Sequence, residues 1–359
     1  MVKLWMRFFL DFKKAFDSVP HRLLIHKLKQ FGISGCLLHW ISDFLSDRYQ
    51  QVRVEEDLSE RAPVLSGVPQ GSVLGPLLFS LFINDISDGL SSKMNLYADD
   101  CVIYKSLSLS QKSALKTADL LQSDLDQLSS WATKWGLDFS VSKCKYMRVC
   151  IYGRRDYFST YAHTYSIRGQ SLEMVDSYEY LGVTIQDNLK WDKHISKVSV
   201  KGSQILGMLR RNLIGASKKV KKRAYYSLVR SRLEYACTSW DPYYRKDILR
   251  LERINNRASH FISGDKNTSS TILKAQLDMP QLSDRRKEFR GNLLKKYARG
   301  DIEIPSLPAI AFDTLPWPRL SDPPTYYEQL RNLFFVRTIG ESENYGLGLP
   351  LSPVPYDPG

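Results

Sequence analysis

Two groups of carboxylates stand where they could do chemistry. One lies in Leu10-Asp11-Phe12-Lys13-Lys14-Ala15-Phe16-Asp17, the other in Tyr97-Ala98-Asp99-Asp100. The second pair interrupts two β-prone arms, residues 95–98 and 101–104, which predicts a hairpin with adjacent acids at its tip. Like charges at contact distance repel, and a divalent cation between them removes the repulsion. Hard oxygen ligands with open coordination positions suit Mg²⁺. A third carboxylate at a neighbouring strand end, Asp11, would complete a two-ion site for an in-line displacement at phosphorus. Read alone, Asp99-Asp100 is equally an acid-rich turn of the ordinary kind.

A third segment, Ser66-Gly67-Val68-Pro69-Gln70-Gly71-Ser72-Val73-Leu74-Gly75-Pro76, is a loop punctuated by glycine and proline. Its glycines let a backbone approach a ligand closely. No Gly-Lys-Ser/Thr follows, so it is not a Walker loop.

These residues need elements to hold them. Phe8-Phe9-Leu10 is too short to assign by period. Leu24, Leu28 and Phe31 recur at helical spacing before Gly32, and Leu37, Ile41, Phe44 and Leu45 predict a second helical face. Gln51-Val52-Arg53-Val54 alternates like a strand. Pro76 opens a predicted buried helix over residues 77–83. Leu121, Leu125, Leu128, Ala132 and Trp135 trace one long amphipathic helix closed by Gly136, and residues 180–185 are β-prone.

The chain has 359 residues, about two domains' worth, and is 43% hydrophobic. Its net charge of +13 points to a polyanionic partner. Five scattered cysteines without a Cys-x-x-Cys argue against a disulfide scaffold and a zinc knuckle. The longest apolar stretch, residues 75–83, falls far short of the roughly 20 residues of a membrane span. No cleavable signal is visible, so secreted and membrane classes are excluded. Three regions follow: residues 1–188 alternate strands and helices, 189–300 are helical and basic, and 301–359 hold 10 of the 16 prolines. Residues 201–257 alone carry 15 lysines and arginines against 4 acids.

In this order the three segments resemble the reverse transcriptases of non-LTR, LINE-type retrotransposons of the jockey and CR1 kind. The Asp11 segment resembles palm motif A. Residues 67–79, continuing through Phe82-Ile83-Asn84-Asp85-Ile86, resemble motif B. Tyr97-Ala98-Asp99-Asp100 resembles motif C. Gly136-Leu137-Asp138-Phe139 through Lys143-Cys144 resembles motif D, and Tyr180-Leu181-Gly182-Val183 the primer-grip turn. A weaker likeness runs through Leu233-Glu234-Tyr235-Ala236 and Trp240-Asp241-Pro242.

The resemblance implies an α+β fold: a polymerase palm of antiparallel strands backed by helices over 1–188, a basic helical thumb over 189–300, and a proline-rich C-terminal tail over 301–359. It implies RNA-directed DNA polymerisation, with two Mg²⁺ ions, replaceable by Mn²⁺, on Asp11, Asp99, Asp100 and the Phe12 carbonyl. Phe16 would be a steric gate against a ribose 2′-hydroxyl, although it also reads as a core phenylalanine. Gln70, Gly71 and Lys143 would meet the dNTP; Lys143 also reads as a surface lysine. Gly67, Pro69, Gln70, Tyr97, Tyr180, Leu181 and Gly182 would touch primer and template. Lys218, Lys219, Lys221, Lys222 and Arg223 would meet phosphates, or else form a solvated helix face. Tyr225, Tyr226 and Trp240 could stack on bases, or pack a helical bundle. The implied partners are an RNA template, a DNA primer or target and dNTPs, with no membrane and no indicated protein partner. The implied location is intracellular, in nucleus and cytoplasm as a ribonucleoprotein.

Some residues depart from the family pattern. Lys13 stands where a small or polar residue is usual, and Ser140 replaces a common Asn. The chain begins about ten residues before Asp11, so the fingers are expected upstream and the sequence reads as a 5′-truncated copy. That reading leaves a second function open, a catalytically inactive remnant that only binds nucleic acid. A group II intron maturase shares Tyr-Ala-Asp-Asp and the Pro-Gln-Gly loop, but Ser72-Val73-Leu74-Gly75-Pro76 argues against it. A viral RNA-dependent RNA polymerase would usually carry Gly in place of Ala98 and no bulky ring at Phe16.

Overall fold

The structure, a computed structural model, describes residues 4–107, 111–150, 163–299 and 301–302. The expected proline-rich tail lies almost wholly outside the described residues. Among the described residues no helix is long and apolar enough to cross a membrane. Contacts divide the chain into two units. The first runs to Tyr178 and includes Gln186–Leu189; the second comprises Glu179–Ile185 and the residues from Lys190 on.

The first unit is a mixed α+β fold around a five-stranded sheet. Strand β1 (Leu4–Leu10) is central. Its short apolar run is ambiguous by period because both faces are covered: Phe8 meets Tyr165 edge-on at 4.8 Å, and Phe9 stacks on Tyr178 at 4.0 Å. Helices α1 (Ala15–Ser18), α2 (His21–Gln30), α3 (Gly35–Leu45) and α4 (Leu74–Ile83) follow. The hairpin strands β2 (Lys93–Tyr97) and β3 (Asp100–Leu107) come next, then α5 (Gln111–Lys134), β4 (Lys145–Cys150) and β5 (Glu173–Met174). The sheet order is β5-β4-β1-β3-β2, antiparallel except for the β5–β4 pair.

The long helix matches its periodicity: Leu121, Leu125, Leu128 and Ala132 are buried, and Gly136 follows at φ +72°. Three expectations need correction. In α3 the buried face is Leu38, Ile41 and Leu45, whereas Leu37 is 54% exposed. Residues 51–54 do not form one strand. Two exposed ribbons, Tyr49–Gln50 with Ala62–Pro63 and Arg53–Val54 with Asp57–Leu58, share that region, where no core face sets a register. Helix α4 starts at Leu74, so Pro76 sits inside its first turn, where a missing N–H costs nothing.

Two buried charges tie the elements together. Lys27 on α2 is enclosed by Phe82, Trp131 and Trp135, with its ammonium 3.9 Å from the Trp135 ring centroid, and it pairs with Asp85. Burial pushes its pKa down, and Asp85 opposes that shift. Asp124 on α5 accepts from the Ser91 amide and hydroxyl, both at 2.9 Å, and so anchors the segment entering β2.

The second unit is helical. Beyond β6 (Ser177–Tyr180) and β7 (Val183–Gln186), whose turn it includes, come α6 (Asp192–Asn212), α7 (Lys218–Tyr225), a π-turn (Tyr226–Arg230) and α8 (Ser231–Glu234). They are followed by α9 (Cys237–Trp240), α10 (Arg245–Ser263), α11 (Ser270–Gln276) and α12 (Leu282–Ala298). Its core is built from Leu206, Tyr225, Val229, Leu233, Trp240, Leu251, Ile254 and Leu282, among others.

Candidate active site

The register of the sheet gathers the acids. β1 and β3 pair as far as Leu10 opposite Cys101. The pairing ends there, and the Asp11 charge still reaches Asp100, whose carboxyl it helps to raise. Tyr97 pairs with Asp100, so Ala98 and Asp99 form a two-residue hairpin turn with Ala98 at φ +53°. The acids at the hairpin tip are therefore where the sequence placed them.

Their electrostatics are unfavourable without a cation. Burial, then Asp99, then Asp11 hold the Asp100 carboxyl above its ordinary value. Asp11 Oδ2 is buried without a hydrogen bond; the Lys143 ammonium stands 3.3 Å away as an ion pair. Lys143 is 70% exposed, so that pair contributes at most about 1 kcal/mol. Among the described residues no set of three His, Cys, Asp or Glu side chains forms a ready metal cage. An orphaned carboxylate oxygen beside two like charges nonetheless fits a divalent ion that keeps positions open for outside oxygens.

The 136–144 segment fixes Asp11 from below. The Asp11 amide donates to Cys144 Sγ at 3.4 Å, and the Ser140 amide donates to the Asp11 carbonyl at 2.8 Å. Phe12 bridges Phe139, and their rings stack at 4.5 Å. The hydrogen bonds flanking that bridge use the Asp11 carbonyl and the Lys13 amide, not the Phe12 carbonyl. Burial pushes the Cys144 thiol up to about 11, which makes it a packing group rather than a nucleophile. Lys13, unusual for its motif, pairs with Asp138 at 2.6 Å, and Arg168 joins the same carboxylate. Cys144 was read only as the end of the motif D segment, and Tyr178 was not singled out from sequence. Burial raises the Tyr178 hydroxyl first, and Asp11 and Asp100 raise it further.

The glycine-rich loop is stitched to the Asp11 segment. The Gly67 amide donates to the Val19 carbonyl, the Val68 amide to the Phe16 carbonyl and the Ser66 hydroxyl to the Asp17 carbonyl, each at 2.8 Å. Gln70, exposed, donates from Nε2 to Asp17 Oδ1 at 2.8 Å. Pro69 is half-buried in this loop, Gly71 is exposed, and Tyr97 is exposed at the end of β2. Phe16 is half-buried and stacks on Phe79 at 4.4 Å. Gly67 has φ +93°, and a Cβ there would stand 2.8 Å from Asp17 Cα. Gly67→Ala should therefore lower stability by about 2 kcal/mol or more in urea unfolding. A cost under about 0.5 kcal/mol would show that this junction yields easily.

Tyr180, Leu181 and Gly182 lie in the second unit, at the turn between β6 and β7. The basic run divides on α7. Lys218, Lys219 and Arg223 are exposed, whereas Lys221 and Lys222 are half-buried over Phe261 and Tyr226. Tyr225 and Trp240 are fully buried, so they pack the bundle and are not stacking platforms. A stripe missed in the sequence lies on α10: Lys246, Arg250, Arg253 and Arg257 are exposed at spacings of four, three and four, which is one helix face. With Lys193 and Lys197 of α6, the first three line a cleft of about 650 Å³ that also holds Asp192 and Asp247. The helical period was the signal that could have found it.

His194 on α6 is buried and accepts the Thr184 amide at Nδ1, at 3.1 Å. Burial first, then Lys197, push its pKa down from 6.5 to about 4, against Glu179. A histidine depressed by folding contributes stability that is complete above its unfolded value and is lost as pH falls through the folded one. The second unit should thus lose about 2–3 kcal/mol between pH 6.5 and 4. His194→Phe should flatten that slope in pH-dependent urea unfolding; an unchanged slope would assign it to other groups.

The reverse transcriptase (RNA-dependent DNA polymerase) family matches residues 2–185. The RNA-directed DNA polymerase from mobile element jockey of Drosophila melanogaster is 33% identical over 199 residues, 53% of this chain and 20% of that protein. The jockey protein of Drosophila funebris is 29% identical over 306 residues, 80% of this chain and 31% of its own. A probable RNA-directed DNA polymerase from transposon X-element of Drosophila melanogaster is 29% identical over 267 residues, 71% and 28% of the two chains. The chain thus spans between a fifth and a third of these relatives' lengths. A telomerase structure from Candida tropicalis, with a fragment of telomeric RNA, aligns over 80% of this chain and 49% of its own at 13% identity. Its TM-score is 0.34, too low to carry an argument.

Proposed function

We propose, from the premise that the chain belongs to the reverse transcriptase (RNA-dependent DNA polymerase) family, that it adds deoxynucleotides to a primer 3′ end on an RNA template. The observation that supports this most is the meeting of Asp11, with its orphaned buried oxygen, and the Asp99-Asp100 tip. In the reaction the primer 3′-oxygen bonds to the α-phosphorus of a dNTP. The bond from that phosphorus to the bridging oxygen of the β-phosphate breaks, pyrophosphate leaves, and the hydroxyl proton goes to solvent.

Asp11, Asp99, Asp100 and the Phe12 carbonyl would hold Mg²⁺, or Mn²⁺ in its place. Bound there, such an ion would supply Lewis acidity to the displacement. Lys143, exposed beside Asp11, would hand a proton to the departing pyrophosphate. The Phe16 ring would exclude a ribose 2′-hydroxyl. Gly67, Pro69, Gln70, Gly71 and Tyr97 would shape the surface under the nascent pair. Tyr180, Leu181 and Gly182 would hold the primer end. Lys218, Lys219, Lys221, Lys222 and Arg223, with the α10 stripe, would neutralise phosphates. Partners are then an RNA template, a DNA primer and dNTPs, in a ribonucleoprotein of nucleus and cytoplasm.

Extension of a DNA primer on poly(rA) with dTTP and Mg²⁺ tests the reading. Duplex binding should weaken by about 0.7–0.9 log units per log unit of salt for each phosphate contacted. Salt-sensitive binding with no extension would leave only a nucleic-acid-binding remnant. In an active preparation, Phe16→Ala should raise NTP use relative to dNTP by about tenfold or more, the scale of losing one packing clash. An unchanged ratio would return Phe16 to the role of a core ring stacked on Phe79.

A further inference from the structure

The Leu181-Gly182 turn is braced by side chains that the polymerase reading leaves without a role. Both turn residues have positive φ, +47° at Leu181 and +76° at Gly182, as a two-residue hairpin turn of type I′ requires. Leucine pays a steric penalty there, so contacts outside the turn must help to hold it. The Tyr235 hydroxyl donates to the Leu181 carbonyl at 3.1 Å. The Tyr235 ring also lies 3.3 Å from where a Cβ on Gly182 would stand, so the tyrosine covers the turn closely. Just beyond the turn, the Thr184 amide donates to His194 Nδ1 at 3.1 Å.

These two contacts belong to one connected brace. Accepting at Nδ1 puts the proton of the neutral ring on Nε2. The ring stands edge-on to Trp240, with centroids 4.8 Å apart. Trp240 Nε1 donates in turn to the Tyr235 carbonyl at 2.8 Å. Ala236, next to Tyr235, is itself at φ +50°, so the backbone is bent to bring that tyrosine onto the turn. A protein that needed only a closed helical core would not require a hydroxyl from α8's end on a strained turn carbonyl.

We propose that Tyr235 and His194 are positioning residues that hold the Leu181-Gly182 turn in the shape that supports a primer 3′ end. The proposal rests on the polymerase reading of that turn. Neither side chain touches the reacting atoms; each acts through the backbone it bonds.

The test uses the full chain well below its unfolding midpoint. Tyr235→Phe removes only the hydroxyl. His194→Phe removes the acceptor, and His194→Asn keeps one near the position of Nδ1. Hydrogen exchange at residues 182–184, read by mass spectrometry, should quicken about tenfold or more in Tyr235→Phe and His194→Phe and stay near wild type in His194→Asn. In primer extension, kcat should fall about tenfold or more in the first two variants, with dNTP KM and duplex Kd within about threefold, and His194→Asn should restore it. Unchanged exchange in Tyr235→Phe overturns the brace whatever extension does. Faster exchange with undiminished kcat overturns its link to the primer. If the wild-type chain extends no primer, the polymerase reading fails and takes the primer role with it, while exchange separately decides whether the brace exists.

Discussion

Replacing Asp99 and Asp100 together by Asn should abolish primer extension while making the protein no less stable. The loss follows from the chemistry the acids would support. Charge stabilisation by bound metal is worth several kcal/mol in such displacements, and about 4 kcal/mol corresponds to about a thousandfold in rate. The stability argument runs the other way. Burial and the charges of Asp99 and Asp11 lift the Asp100 carboxyl in the folded protein. A raised carboxylate favours the fold only while protonated, and that help is gone once pH rises through its folded value. The burial and repulsion that raise the Asp100 carboxyl therefore oppose folding at neutral pH, and two amides relieve them. Urea unfolding at pH 7 without divalent ions should show a midpoint equal to or above wild type. Duplex affinity should stay within about threefold, because the proposed phosphate contacts lie on other residues. Retained extension would remove the acids from the chemistry; a clearly lower midpoint would make them structural.

The two halves of that prediction were not equally legible in the sequence. The acidic hairpin could be read directly, since two carboxylates between β-prone arms have few other geometries. The long helix could be read as well, because its period is clean over four turns. What period could not convey was which elements meet. Cys144 reads only as the end of the motif D segment, yet its sulfur accepts the Asp11 amide. Lys13 looks like a departure until Asp138, 125 positions away, supplies its partner. The Leu37 error has a local cause. Two adjacent leucines fit two neighbouring helical faces equally well, and only the neighbours of α3 decide between them. The α10 stripe was overlooked for the opposite reason: a contiguous lysine run on α7 draws notice, whereas four cations spread over twelve residues form a surface only once the helix is wound. Tyr225 and Trp240 take the second of the two roles that the sequence left open, packing the bundle rather than stacking on bases, and both have hydrogen-bond partners there.

Asp241 carries the second large effect, and it tests the weakest part of the sequence resemblance. Its side chain is 6% exposed and meets two guanidiniums that are each 1% exposed: Arg286 Nε at 2.6 Å and Arg290 Nε at 3.1 Å. Both arginines lie on α12, so this one carboxylate after α9 is a main electrostatic tie to the last helix among the described residues. Asp241→Asn keeps the shape and removes the charge, leaving like charges facing each other in the core. Breaking a buried pair in this way costs about 3–5 kcal/mol, far more than the same change at a surface pair. The exposed Lys197–Glu179 pair is the internal control, and Lys197→Ala should cost less than about 1 kcal/mol. Denaturation followed by helical circular dichroism should show the large loss for Asp241→Asn and the small one for Lys197→Ala. Adding Arg286→Met and Arg290→Met to Asp241→Leu should recover much of the deficit, because an apolar core of similar volume can replace an ion cluster. If Asp241→Asn cost under about 1 kcal/mol, the guanidiniums would have to be neutralised elsewhere, and Trp240-Asp241-Pro242 would owe its place to the packing of Trp240 alone.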